Sequence, residues 1–219
     1  TFKFHITTNN NVRAVCSGRQ DSVSYSEDCC TYHWTLSQPI PTYLASMTIA
    51  DFDLLERDLV SQNGTVPLQV YYFASDSAQV YRNFEMFDSA FANMERCFGA
   101  FPFNRVGYCT TTQGSMEHVD NISLAHSLAA SFSDNSQSVI VHEFGHSWFG
   151  NLITCQTAGD MWINEGWTTF TEKLNLEAMY GADYAKNHFR KKAESVLKTL
   201  PRTEGVFPLY GADSTLTYS

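Results

Sequence analysis

Apolar and polar residues alternate along much of the first seventy positions. Phe2, Phe4 and Ile6 take every second place between Lys3, His5 and Thr7; Tyr32, Trp34 and Leu36 repeat the pattern, and Val66, Leu68, Val70 and Tyr72 repeat it again. Successive side chains on a strand point to opposite faces, so this period predicts strands with one face buried. The polar run at 8–11, Gly18 and Asn63-Gly64 punctuate them as turns. Nothing in this stretch carries chemistry; His5 and His33 read as strand histidines, solvated or satisfied.

Further on the period changes. Val80, Phe84, Phe87, Phe91, Met94 and Phe98 recur at steps of four and three, one stripe of a single helix with Ser75 or Asp76 to cap it and Gly99 and Pro102 to end it. A strand is expected over 106–110 and a turn at Gln113-Gly114. Ser136 or Ser138 opens another helix, which turns Ile140, Phe144 and Trp148 to the core and ends at Gly150. Two more are expected, from 163 to 180 before Gly181 and from 184 to 200 before Pro201, the last with Lys191, Lys192 and Lys198 towards its C-terminal side. Strands first and helices afterwards indicate an α+β fold.

Composition narrows the picture. A chain of 219 residues accommodates one large domain or two small ones, and 43% hydrophobic content with 14% aromatics is ample for packed cores. The net charge of −9, with 14 basic residues mostly scattered, argues against nucleic acid and anionic membranes as partners. No apolar run approaches bilayer-spanning length. Both ends look cut, since the alternation is under way at Phe2 and the last residues have no tail-like composition; the chain reads as a piece of something longer. Six cysteines form no C-x-x-C pair, so a zinc ribbon is not expected. Cys97 with Cys109, and Cys16 with Cys29 or Cys30, are candidate bridges beside the plain alternative of buried thiols. Export is favoured over a reducing compartment.

The chemistry sits in His142-Glu143-Phe144-Gly145-His146, with Glu165 after eighteen intervening residues. Histidines four apart lie on one helix face and can grip a single zinc ion, while the glutamate between them points beside the metal. Glu165 supplies a third ligand from the next helix and leaves a fourth position open. A water there loses its proton near pH ~7 instead of near ~16. Glu143 is then the general base, taking that proton and returning it to a leaving amine. These parts suit amide hydrolysis. A closed zinc staple is the competing reading, but it needs a fourth protein ligand, for which only Asp160 and Cys155 offer themselves. Glu172, seven residues after Glu165, lies two turns along the same face. It can accept a hydrogen bond from a ligand histidine, unless it is simply an exposed helix residue.

At this point HEFGHSWFGN (142–151) and DMWINEGW (160–167) resemble the zinc site of the gluzincin aminopeptidases, of the aminopeptidase N and leukotriene-hydrolase type. Gly114-Ser115-Met116-Glu117-His118 resembles that family's G-x-M-E-N exopeptidase motif, with His where Asn is common. Pro41-Thr42-Tyr43-Leu44 and Asp51-Phe52 are similar to the strand leading out of its β domain. The resemblance implies the end of a saddle-like β domain over 1–66, then a thermolysin-like catalytic domain over 67–219 that is incomplete at its C-terminal end. It implies that Glu117 binds the α-ammonium of a peptide, that Gly114, Ser115 and Met116 lie along the substrate, and that Tyr218 begins the family's oxyanion-stabilising Tyr-x-Lys-Gly. The function implied is zinc-dependent removal of N-terminal residues from peptides. A thermolysin-type endopeptidase and a silent peptide-binding module are the alternatives.

Overall fold

The computed structural model describes residues 1–203 and 205, and Tyr218 lies outside them. Strand β1 (Phe2–Asn9) pairs antiparallel with β4 (Cys29–Leu36), whose other edge takes β3 (Arg19–Tyr25). The alternation works as read: Phe2, Phe4 and Ile6 turn inward while Lys3, His5 and Thr7 are exposed. A separate ribbon joins β2 (Arg13–Cys16) to β5 (Met47–Ala50).

The larger sheet has the order β6-β7-β8-β9. Strands β6 (Asp53–Ser61) and β7 (Gly64–Tyr72) form an antiparallel hairpin through Gln62-Asn63, one residue ahead of the expected Asn63-Gly64 turn, and β8 (Val106–Thr111) and β9 (Ile122–Ala125) add in parallel. A division at 66/67 runs through β7, whose register with β6 is unbroken.

One face of this sheet carries the helices. The aromatic stripe forms two helices rather than one: α1 (Ser77–Asn83) and α2 (Phe87–Phe98), with a turn over 84–86. The break leaves the stripe buried, because Val80, Phe84, Phe87, Phe91 and Met94 are all sealed in the main core with Tyr108 and Phe144. The short α3 (His126–Ala129) follows β9. Helix α4 (Asp134–Gly145) starts earlier than expected, because the Ser133 hydroxyl accepts from Ser136 N at 3.1 Å. It also ends earlier, at Gly145, although His146 keeps helical dihedrals. Helices α5 (Trp162–Tyr180) and α6 (Ala182–Lys198) agree with the sequence reading to within two residues.

The two strand regions are joined through Arg105, which is 4% exposed. Its guanidinium donates to Cys16 O and Gly18 O at 2.8 Å each and lies 4.9 Å from the Trp34 ring centroid. Cation–π stacking and backbone carbonyls thus meet the buried guanidinium directly. The candidate bridges are absent, all six cysteines being free. Among the described residues no helix is long and apolar enough to cross a membrane.

Candidate metal centre

Helix α4 presents His142 and His146 on one face, and Tyr108, buried beneath it, donates to Ile140 O at 2.8 Å. Helix α5 lies across α4 at very close range. A Cβ on Gly145 would stand 2.2 Å from Oγ1 of Thr171, so only glycine permits the approach. That approach brings Glu165, in the first turn of α5, over the histidines.

The three donors form a small triangle. Nε2 of His142 and Nε2 of His146 are 3.2 Å apart, and Oε2 of Glu165 lies 3.3 Å from the first and 3.6 Å from the second. Ligands bonded to tetrahedral zinc at about 2.0–2.1 Å stand about 3.3–3.4 Å apart. Two imidazoles and a carboxylate at these separations fit zinc in donor type and in size.

Each imidazole is oriented from behind. Nδ1 of His146 faces Phe149 O at 2.9 Å and Thr168 Oγ1 at 3.2 Å, which leaves Nε2 free to ligate. Nδ1 of His142 faces Oε2 of Glu172 at 3.6 Å. Glu172 is buried, not an exposed helix residue. Gly150, at φ +121°, lets the chain turn tightly past the His146 ring, where a Cβ would come within 2.9 Å of Nδ1.

The acidic groups are driven apart electrostatically. Burial lifts Glu143 to about 7, against the pull of both imidazoles. Burial would also lift Glu165, but hydrogen bonds from His142 and His146 prevail and hold it far below the carboxylate range. Burial opposes a charge on His142, yet Glu165 and Glu172 raise it to about 9. The carboxylates that favour a proton on that ring favour a metal cation in its place.

The upstream motif packs against this triangle. Met116 bridges to Ser123 through Met116 N to Ser123 O at 3.1 Å and the reciprocal bond at 2.9 Å. Ser115 Oγ accepts from Ala125 N at 3.1 Å, and Gly114 is exposed at the preceding turn. The Glu117 carbonyl accepts from Asn151 at 2.9 Å. Glu117, Glu143 and His146 bring their potential donor atoms within 4.8 Å of one another. His118 turns to Ser123 Oγ at 3.1 Å, so the residue in the place of the usual Asn braces the bridge.

The sequence profile of the peptidase family M1 domain matches residues 109–204, from β8 to the end of the described helices. Aminopeptidase B of Rattus norvegicus is 30% identical over 158 residues, which is 70% of this chain and 23% of that protein. Glutamyl aminopeptidase of Bos taurus is 28% identical over 193 residues, 83% of this chain and 19% of that protein. Over residues 109–204 the chain resembles a peptidase family M1 domain.

The fold agrees. An M1 zinc metallopeptidase from Deinococcus radiodurans superimposes with a TM-score of 0.77 at 22% identity, over 95% of this chain and 46% of the other. A mutant of that metallopeptidase bound to a Tyr-Ser-Ala substrate gives 0.75 at 22%, covering 90% and 45%. The chain therefore spans about a quarter or less of these curated relatives' length and under half of the solved chains.

Sequence reasoning missed several residues around this site. Tyr43 lies near Glu117, Asn164 and Glu165; burial raises its hydroxyl, with the two carboxylates adding to that. Its turn is held by Val119 N donating to Leu44 O at 3.0 Å. Asn164 accepts from Cys155 N at 2.9 Å, which ties the loop between α4 and α5 to the start of α5. The sequence places Tyr43 seventy-four positions before Glu117, and no local pattern links them. His188 faces Glu172 at 3.2 Å. Its spacing of four from Lys192 was the available signal.

Proposed function

We propose that this chain carries the catalytic centre of a zinc aminopeptidase, with a single zinc ion held by His142, His146 and Glu165. The observation that carries the reading is the triangle of donor atoms with edges of 3.2, 3.3 and 3.6 Å, beside which Glu143 and Glu117 both converge on His146. When bound, zinc supplies Lewis acidity towards a peptide carbonyl and makes water acidic near neutral pH.

The chain's own residues do the rest. Glu143, buried beside the triangle, takes the proton of the attacking water and delivers it to the leaving amine. Glu117 receives the α-ammonium of the substrate, pairing as a charge-assisted hydrogen bond in a water-poor site. Met116 stands in an antiparallel bridge with Ser123, and with its neighbours Ser115 and Gly114 it offers backbone along which a peptide can add as a strand. Glu172 orients His142. The oxyanion role expected of Tyr218 lies outside the described residues. Peptides with free N-termini are the substrates this arrangement suits. The position of Glu117 favours them over internal bonds, because an internal amide brings no cation to pair with a carboxylate held there.

The test combines metal analysis with a matched substrate pair. The protein should hold about one zinc per chain, lost in His146→Ala, and should cleave an aminoacyl chromogenic substrate but not its N-acetylated form. Preferential cleavage of the acetylated form would point to an endopeptidase. Absence of zinc from the wild-type protein would remove the reading altogether.

A further inference from the structure

Glu172 is 1% exposed, and five hydrogen-bonding or ion-pair contacts converge on its two oxygens. Oε1 accepts from Ser138 Oγ, faces His188 Nε2 at 3.2 Å and takes Lys192 Nζ at 2.8 Å. Oε2 takes the same ammonium at 2.7 Å and faces Nδ1 of His142 at 3.6 Å. Lys192 therefore spans both oxygens from α6, and the direction left to Oε2 is the one towards the ligand imidazole.

We propose that Lys192 is a positioning residue for the metal centre: by clamping both oxygens of Glu172 it keeps that carboxylate turned to His142 and so sets how firmly His142 holds zinc. The inference rests on the zinc site proposed above and adds a residue from a third helix to it.

Two physical considerations carry it. First, a carboxylate held this deep, in a centre that also contains Glu117, Glu143 and Glu165, is costly unless a cation pairs with it. Among the described residues in contact with Glu172, Lys192 supplies an ammonium that meets both carboxylate oxygens. Second, this is unlike a surface pair, which contributes little because water competes at both ends. Here the acid is sealed and only the Lys192 side chain, 43% exposed, reaches solvent. His188, one turn before Lys192 on the same face, meets both Ser138 Oγ at 3.3 Å and Glu172, so α6 is fixed to the carboxylate at two points.

A salt bridge that merely docks α6 would leave the metal unaffected, and this separates the two roles. Zinc dissociation constants should be measured by chelator competition on the wild-type protein, Lys192→Met, Lys192→Arg, Glu172→Gln and the double variant Lys192→Met/Glu172→Gln, together with each zinc-free melting temperature. Glu172→Gln should weaken zinc by about 10- to 100-fold and Lys192→Met by about tenfold. Lys192→Arg should recover most of the loss, since a guanidinium fork also spans two carboxylate oxygens. In the Glu172→Gln background the Lys192→Met change should add nothing, because its route to the metal is already cut. Unchanged zinc affinity in Lys192→Met, with or without a lower melting temperature, overturns the proposal, as does simple additivity in the double variant. If the wild-type protein takes up no zinc, the site itself fails; if it binds zinc and loses it in His146→Ala while Lys192→Met binds normally, only this inference fails.

Discussion

Gly145 of α4 and Thr171 of α5 pack so closely that a methyl group on Gly145 would stand 2.2 Å from the Thr171 hydroxyl. Glu165 is carried on the same helix as Thr171, so this contact sets its height over His142 and His146. Gly145→Ala should push α5 outward, cost about 1–3 kcal/mol of stability as an overpacked interface, and lower zinc occupancy. Thermal unfolding and metal analysis read both effects. A variant with full zinc and unchanged stability would show that the helices have slack there.

Glu143→Gln keeps the shape of the base but removes its proton affinity. Hydrolysis should fall by about 10²- to 10⁴-fold while zinc content stays the same. Burial lifts the Glu143 carboxyl to about 7, and a bound cation draws it down again. A base works only when deprotonated, so kcat/KM should rise with pH through an acid limb at or below about pH 7 that is missing from the variant. Unimpaired turnover by Glu143→Gln would rule this glutamate out as the base.

Glu117→Ala should act on the free amine alone. Loss of a charge-assisted hydrogen bond costs about 1.5–3 kcal/mol, so kcat/KM on an aminoacyl substrate should drop by about 10- to 100-fold. Cleavage of a substrate blocked at its amine should not drop in parallel. Equal losses on both substrates would place Glu117 in another role.

Asp120 offers a stability test away from the metal. It stands at φ +57°, nearly enclosed beside Arg105, and burial raises its carboxyl from 3.8 to about 6, against the attraction of Arg105. The folded chain then binds the proton more tightly than the unfolded chain does, so stability falls as pH rises from about 4 to about 6, by about 3 kcal/mol. Asp120→Asn, whose side chain also tolerates the left-handed backbone, should remove that part of the slope. Urea unfolding of both proteins at several pH values gives the difference; parallel curves would contradict the assignment.

Much of this protein was legible in the chain because it is local. His142 and His146 share a face wherever residues 142–146 are helical, and the position of Glu143 between them follows from the same period. Alternation at Phe2, Phe4 and Ile6 is enough to say which face of β1 is buried. The single stripe from Val80 to Phe98 misled, because a turn over 84–86 rejoins the apolar side of two helices and leaves the period intact. Parallel pairing of β7, β8 and β9 had no local signature, since parallel partners lie far apart in sequence and are chosen by the helices packed on them. The sequence by itself determined the donor types, the carboxylic acid between the two histidines and the helix that bears them. Only the tertiary structure decided that Glu165 closes the triangle, that Glu117 and Tyr43 reach the same centre, and that Lys192 holds Glu172. Those relations depend on how α5 and α6 pack on α4, and packing is settled by close approach between distant segments, such as Gly145 against Thr171, which no periodicity encodes.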